Sequence, residues 1–357
     1  MKGALLIACS VACLTLVGQD AQPWTIGVRG SWGMLAPHHQ GMWFLVERHA
    51  VMGELFIEHP FSGAGDRHAP PRGMRWGIGL MATNAGSPGQ LGYAARLLPY
   101  ITLPIKQGDR FTLAARFGWG LGMVAEPFDR RDHFTQTAIG SRMNGAVLLA
   151  MEASRQVGRL SLGAGLSLDH FSNGAFQLPN LGINLVTANI SVRYRLGDEP
   201  TMDKPSAPGE FNPYNEAWVI GAWGMQEVYP LETGKQQVAV INATLHRRFT
   251  PRSSAGVGVD LFNKNSLRIR DHELRDRSQL GLTQVAVHIG YAAWFGRLCV
   301  VIDQGFYLYS PIDENSFAWQ RIGMRQKLGS RCLLGLTLKT HSATADHIEL
   351  GIGYRIL

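Results

Sequence analysis

The sequence predicts an all-β fold, an antiparallel transmembrane β-barrel. Three observations carry that expectation. Hydrophobicity alternates with period two along most of the 357 residues, as in strands with one apolar and one polar face. No run reaches the ~18 consecutive apolar residues of a membrane-crossing helix. Glycine is abundant at 42 residues, the charged fraction is only 17% and mean hydropathy is −0.03, as expected where each strand is only half apolar.

The chain opens with MKGALLIACSVACLTLVGQDA. Lys2 is a short basic start, residues 4–17 are an apolar run too short to cross a bilayer, and Gly18 or Ala21 could precede a cleavage point. Residues 1–21 therefore read as a secretory signal peptide. Cys9 follows Leu-Ile-Ala but arrives too early for a lipoprotein signal. Cys299 and Cys332 remain in the mature chain, where an oxidising compartment would allow a disulfide. No CxxC or His/Cys spacing suited to a metal appears, and no cofactor is expected.

Strand after strand repeats the alternation. In 110–123, Phe111, Leu113, Ala115, Phe117, Trp119, Leu121 and Met123 share one face, opposed by Arg110, Thr112, Ala114, Arg116 and three glycines. The last stretch alternates Ile348, Leu350, Ile352, Tyr354 and Ile356 with His347, Glu349, Gly351, Gly353 and Arg355. Such runs start near residues 24, 50, 73, 90, 110, 143, 158, 182, 216, 236, 254, 282, 297, 317, 331 and 346. That makes about 14 to 16 strands, each near the ~10 residues of a tilted span. Tight turns at 156–159 and 250–254 mark one end, and polar loops at 60–73, 127–142 and 263–278 the other. With the N-terminus periplasmic, even-numbered turns should be short and odd ones long. Trp24, Trp43, Tyr93, Tyr100, Trp294 and Tyr309 read as an interfacial girdle.

A polar, proline-rich segment at 198–215 breaks the rhythm. It separates a strand-rich half at 22–197 from another at 216–357. One barrel of about 14 to 16 strands is the expectation, since tandem barrels are rarer; the alternative is an eight-stranded barrel plus a second eight-stranded β unit.

The net charge of +7 and pI near 9.4 suit nucleic acid or anionic lipid head groups in general. A membrane barrel selects the lipid, and no nucleic-acid partner is expected. Arg67, His68, Arg72, Arg130, Arg131 and Arg142 lie in long loops, where they could meet lipid phosphates or simply be solvated charge.

Residues 160–194 carry the chemistry. Leu160, Leu162, Ala164, Leu166 and Leu168 form the apolar row, and His170 and Ser172 continue it; Asp169 points inward. Val186, Ala188, Ile190, Val192 and Tyr194 form the apolar row of the next strand, headed by Asn184. A hairpin loop at 173–181 brings His170 near Asn184 across the strands. Polar groups on a lipid-facing wall are costly unless paired, and mark function as readily as the point where a strand leaves the membrane.

The stretch HFSNGAFQLPNLGIN (170–184) closely resembles the corresponding part of the PagL-like lipid A 3-O-deacylases, which show His-x-Ser-Asn, then Pro-Asn, a Gly and an acid on the following strand. His170, Ser172, Asn173, Pro179, Asn180 and Gly182 match, and in architecture the resemblance covers roughly residues 20–197. It implies an outer-membrane serine esterase of Gram-negative cells with its site on the outer wall of an eight-stranded barrel, removing an ester-linked acyl chain from the lipid A of lipopolysaccharide. Ser172 then resembles the nucleophile, His170 the general base and Asn173 a donor to the oxyanion. The family's acid falls on Asn184, an amide that can orient an imidazole but cannot stabilise imidazolium by charge. A second His/Ser/Glu set, His341, Ser342 and Glu349, is excluded by parity, because Leu334, Leu336 and Leu338 take the lipid face and leave Lys339, His341, His347 and Glu349 to the lumen. The alternative function is a weak or inactive barrel serving as a porin or structural protein; a surface adhesin has only the basic loops behind it.

Overall fold

The computed structural model describes residues 22–61, 73–197, 210–231, 233–312, 316–342 and 344–357. The expected signal peptide, Arg67, His68 and Arg72, and most of the 198–215 segment lie outside them. The strands follow in order: β1 (Thr25–Leu35), β2 (Ala50–Pro60), β3 (Arg75–Thr83), β4 (Ala94–Gln107), β5 (Phe111–Val124), β6 (Met143–Val157), β7 (Leu160–Ser172), β8 (Ile183–Arg195), β9 (Tyr214–Gln226), β10 (Gln236–Thr250), β11 (Ser253–Lys264), β12 (Thr283–Phe295), β13 (Leu298–Tyr309), β14 (Ala318–Lys327), β15 (Cys332–His341) and β16 (Thr344–Arg355). Among the described residues no helix is long and apolar enough to cross a membrane.

The single large barrel gives way to the alternative. β1 to β8 close as one barrel and β9 to β16 as another. The decisive pairings are β1 with β8, from Thr25↔Arg195 to Leu35↔Leu185, and β9 with β16. Each set thereby satisfies its own edge strands, as a spanning sheet must. The chain divides into two compact units.

In the first barrel the outer wall is apolar. Leu162 on β7 and Ile190 on β8 are 53% and 72% exposed. The inner face is a charged core. Glu54 on β2 takes Arg29 at 2.8 Å, Arg116 at 2.8 Å and Arg96 at 3.4 Å, while Arg96 also reaches Asp169 at 2.5 Å. Glu152 receives Arg29 at 2.8 Å and also Arg193. These charges are buried, so pairing rather than hydration must satisfy them. The inward direction of Asp169 agrees with parity.

One end of this barrel is shut by its own loops. A short 3-10 helix, Gln40–Leu45, drops Met42 and Leu45 onto Leu35, Ala85, Leu91, Ile139, Phe171, Ile183 and Leu185. At the other end β6 and β7 turn through Gly158-Arg159, where Gly158 holds φ +60°, a conformation glycine adopts without steric cost. In this barrel the short-and-long alternation holds except between β2 and β3, whose connection is long; in the second barrel it fails between β15 and β16, which are joined by two residues.

The second barrel is also filled by charge. Arg321 binds Glu349 at 2.6 Å and Asp260 at 3.0 Å, and Lys264 and Lys339 both reach Asp346 at 2.7 Å. A cavity of about 10 Å³ among Asn242, Arg321, Thr337 and Glu349 is room for a single water. Glu349 and His347 point inward as parity requires and belong to this interior network, while Ser342 is exposed in the turn after β15.

Two members of the expected girdle are internal. Tyr100 is 3% exposed, donates to Glu58 at 3.1 Å and lies under the Arg116 guanidinium. Trp294 is 6% exposed and donates to Ser254 Oγ at 2.9 Å. Both share inward rows, with Arg96 and His288 respectively, so row parity overrides aromatic type. Trp43, Tyr93 and Tyr309 are exposed as expected. Cys299 is buried, Cys332 is exposed and both are free. β14 lies between their strands, so they are separated by two strand spacings of ~4.8 Å each, beyond disulfide reach.

Candidate active site

His170 and Ser172 close β7, and Asn184 opens β8, at the end of the first barrel sealed by loops. His170 and Ser172 alternate with buried Asp169 and Phe171, and Asn184 with buried Ile183 and Leu185, so all three belong to the outward rows. His170 and Asn184 are register partners across the hairpin. His170 Nδ1 lies 2.6 Å from Asn184 Oδ1. An amide oxygen only accepts, so Nδ1 carries the hydrogen and Nε2 keeps its lone pair. His170 and Ser172 are two residues apart on one face, which sets their Cα atoms ~6.6 Å apart.

The serine sits in an amide cradle. Asn180 Nδ2 donates to Ser172 Oγ at 3.0 Å, and Ser172 Oγ approaches Asn180 Oδ1 at 3.2 Å. The backbone N–H of Asn173 donates to the same Oδ1 at 3.0 Å, which fixes which way the Asn180 amide faces. The Asn173 side chain is buried and donates to Ser141 Oγ at 2.9 Å. The side-chain amide placed beside the hydroxyl is therefore that of Asn180. Opposite Ser172 on β6 stands Gly145, where a Cβ would come within 3.2 Å of the Ser172 carbonyl oxygen.

Two further residues border His170 and Asn184. Gly182 has φ +86°, and a Cβ there would come within 2.8 Å of His170 Cε1. His38, from the loop after β1, lies with Nδ1 3.0 Å from Asn184 Nδ2. The sequence motif contains Asn180 and Gly182 without revealing what they touch, and His38 lies far from it in a loop without periodicity. Among the described residues no His/Cys/Asp/Glu cluster is placed to hold a metal ion.

Two family models match the chain. "Lipid A 3-O-deacylase (PagL)" covers residues 55–193 and "Acyloxyacyl hydrolase, C-terminal domain" covers 215–357. The chain belongs to the PagL lipid A 3-O-deacylase family. It is therefore an ester hydrolase by family, and the family reaches past the 20–197 stretch where the motif lies, through the second barrel. No curated protein matches the PagL-family chain. Of solved structures, a triple-mutant porin of Rhodopseudomonas blastica is similar at 9% identity, covering 94% of this chain and 99% of its own, with a TM-score of 0.18. The Pseudomonas putida toluene transporter TodX is similar at 10% identity, covering 99% of this chain and 93% of its own, also at 0.18. At such TM-scores neither likeness carries a structural correspondence.

The first expected result for this PagL-family site concerns Gly182. Gly182→Ala combines a strained φ with a Cβ pressed on the His170 ring. It should lower deacylation by about 10- to 100-fold through displacement of the His170 ring while the barrel still folds. Wild-type turnover of the folded variant on purified lipid A would show that the ring position is not critical.

Proposed function

We propose that this protein hydrolyses an ester-linked acyl chain of lipid A through Ser172, His170 and Asn184, on the lipid-facing wall of the first barrel in the outer membrane. The observation that carries the reading is the 2.6 Å contact between His170 Nδ1 and Asn184 Oδ1, made on the apolar outer wall beside a serine. It leaves His170 Nε2 free to take the Ser172 proton as Oγ attacks the ester carbonyl; the same imidazolium then protonates the departing alkoxide. The acyl-enzyme formed is hydrolysed by water activated the same way.

The developing oxyanion needs a fixed donor. Asn180 Nδ2, already 3.0 Å from Ser172 Oγ, supplies it, and Asn173 serves the oxyanion by holding the Asn180 amide in place. The acyl chain need not leave the membrane. Leu168 and Val186 continue the two outward rows next to the site, and Leu149 and Met151 on β6 extend the apolar wall, so the chain lies along a surface already solvated by lipid. Mass spectrometry of lipid A from cells with and without the protein tests the reading; an unchanged acylation pattern would reject it.

Asn184 separates a working site from a relic. Asn184→Ala should cost about 10- to 1000-fold in turnover, the range of orienting groups. Asn184→Glu should keep or raise it, because a carboxylate also stabilises the imidazolium. Equal activity of wild type and Asn184→Ala on purified lipid A would remove Asn184 from the mechanism.

A further inference from the structure

An amide in place of a carboxylate raises a problem that a carboxylate does not have. The two oxygens of a carboxylate are equivalent, so either can accept from His170. The two ends of an amide are opposite in sense. With Asn184 turned over, Nδ2 would donate to His170 Nδ1, and the ring would have to carry its hydrogen on Nε2, the atom required as base. Asn184 therefore works in one orientation only.

We infer that His38 is a positioning residue that locks Asn184 in the productive orientation, through a polarity set by the backbone carbonyl of Leu181. This inference rests on the Ser–His reading above. His38 Nε2 lies 2.9 Å from Leu181 O. A carbonyl oxygen has no hydrogen to give, so Nε2 carries the proton of the neutral ring and Nδ1 is bare. Nδ1 then accepts from Asn184 Nδ2 at 3.0 Å. With Nδ2 so engaged, Oδ1 faces His170 Nδ1 at 2.6 Å. The direction of every hydrogen bond from Leu181 O to the catalytic imidazole follows from one group that can only accept. Reversing Asn184 would set its Oδ1 against the His38 lone pair, and reversing His38 as well would set a bare Nε2 against the Leu181 carbonyl.

The backbone holds the chain of contacts together. Ala36 N–H donates to Asn184 O at 2.8 Å, two residues before His38. Gly182 N–H donates to Ala138 O at 2.8 Å, fixing the strand end next to Leu181. His38 is itself exposed, so water competes for its contacts and the lock is a bias rather than an absolute constraint.

The test is a double-mutant cycle on the full chain in detergent, with lipid A as substrate. His38→Ala should lower kcat about 5- to 10-fold, the scale of one hydrogen bond's bias, with KM within about twofold, because the acyl and sugar contacts are untouched. In an Asn184→Glu background, where there is no amide to orient, the same His38→Ala change should alter kcat by less than about twofold. Equal losses in both backgrounds would mean that His38 supports the fold or the substrate, and no loss in either would also overturn the inference. A readout independent of turnover is the imidazole ¹⁵N spectrum of histidine-labelled protein. His170 should hold a single Nδ1–H tautomer in the wild type and a mixture in His38→Ala; a tautomer unmoved by the substitution overturns the lock whatever the activity. Full activity of Ser172→Ala would instead sink the Ser–His reading, and the tautomer measurement would still judge the lock.

Discussion

Replacing Ser172 with alanine, or His170 with alanine, should each remove deacylation by about 10⁴-fold or more, the scale for losing a nucleophile or its base. Both side chains stand on the outward face at a strand end, half-buried and outside the packed interior, so neither change removes core volume. The contacts that Ser172 makes to Asn180 are local, and their loss costs about 1 kcal/mol. Each variant should therefore reach the outer membrane as a heat-modifiable band on a denaturing gel, folded and inert. Wild-type turnover by either would remove that residue from the mechanism.

The second large effect falls on stability. Glu54 is 4% exposed and is the shared partner of Arg29, Arg96 and Arg116. Glu54→Ala strands three guanidiniums in the barrel interior with less counter-charge. Breaking a buried pair by deleting one partner costs about 3–5 kcal/mol, and a shared partner belongs at the upper end. Leu55 is the adjacent residue on β2 and 62% exposed on the outer wall; Leu55→Ala is the matched control and should cost far less. Urea unfolding of both variants in lipid vesicles checks this. A midpoint for Glu54→Ala equal to that of Leu55→Ala would show that the arginines are satisfied without the carboxylate.

Much of this architecture was legible in the residue order. The starts of the alternating runs fall within a few residues of all the strands, because period two with one apolar face is a local property. Which strands close on which is not local. Period two is the same in one sixteen-stranded wall and in two eight-stranded ones, and only the long-range pairing of β8 with β1 distinguishes them. Tyr100 and Trp294 misled for a related reason: aromatic type suggested an interface, while row parity with Arg96 and His288 placed them inside. In the candidate site, parity and a compact motif both point to His170 and Ser172, and parity with cross-strand register points to Asn184, where the motif has an acid. Asn180 stood in the motif without a visible partner, and its contact with the serine depends on how the 173–182 loop folds back. His38 carries no pattern at all, since it is brought to Asn184, 146 residues away in sequence, by the pairing of β1 with β8.

That pairing gives the first barrel a timing. The contact between His170 and Asn184 is made within one hairpin and can form as soon as β7 and β8 meet. His38 reaches Asn184 only when the end of β1 docks on the start of β8, through the same Leu35↔Leu185 register that closes the sheet. Bringing together residues so distant along the chain is the slow, entropically costly part of folding. Closure of the cylinder and completion of the hydrogen-bond chain to the imidazole are thus a single event. Until the cylinder closes, the Asn184 amide beside His170 has no partner on its other side and is free to turn.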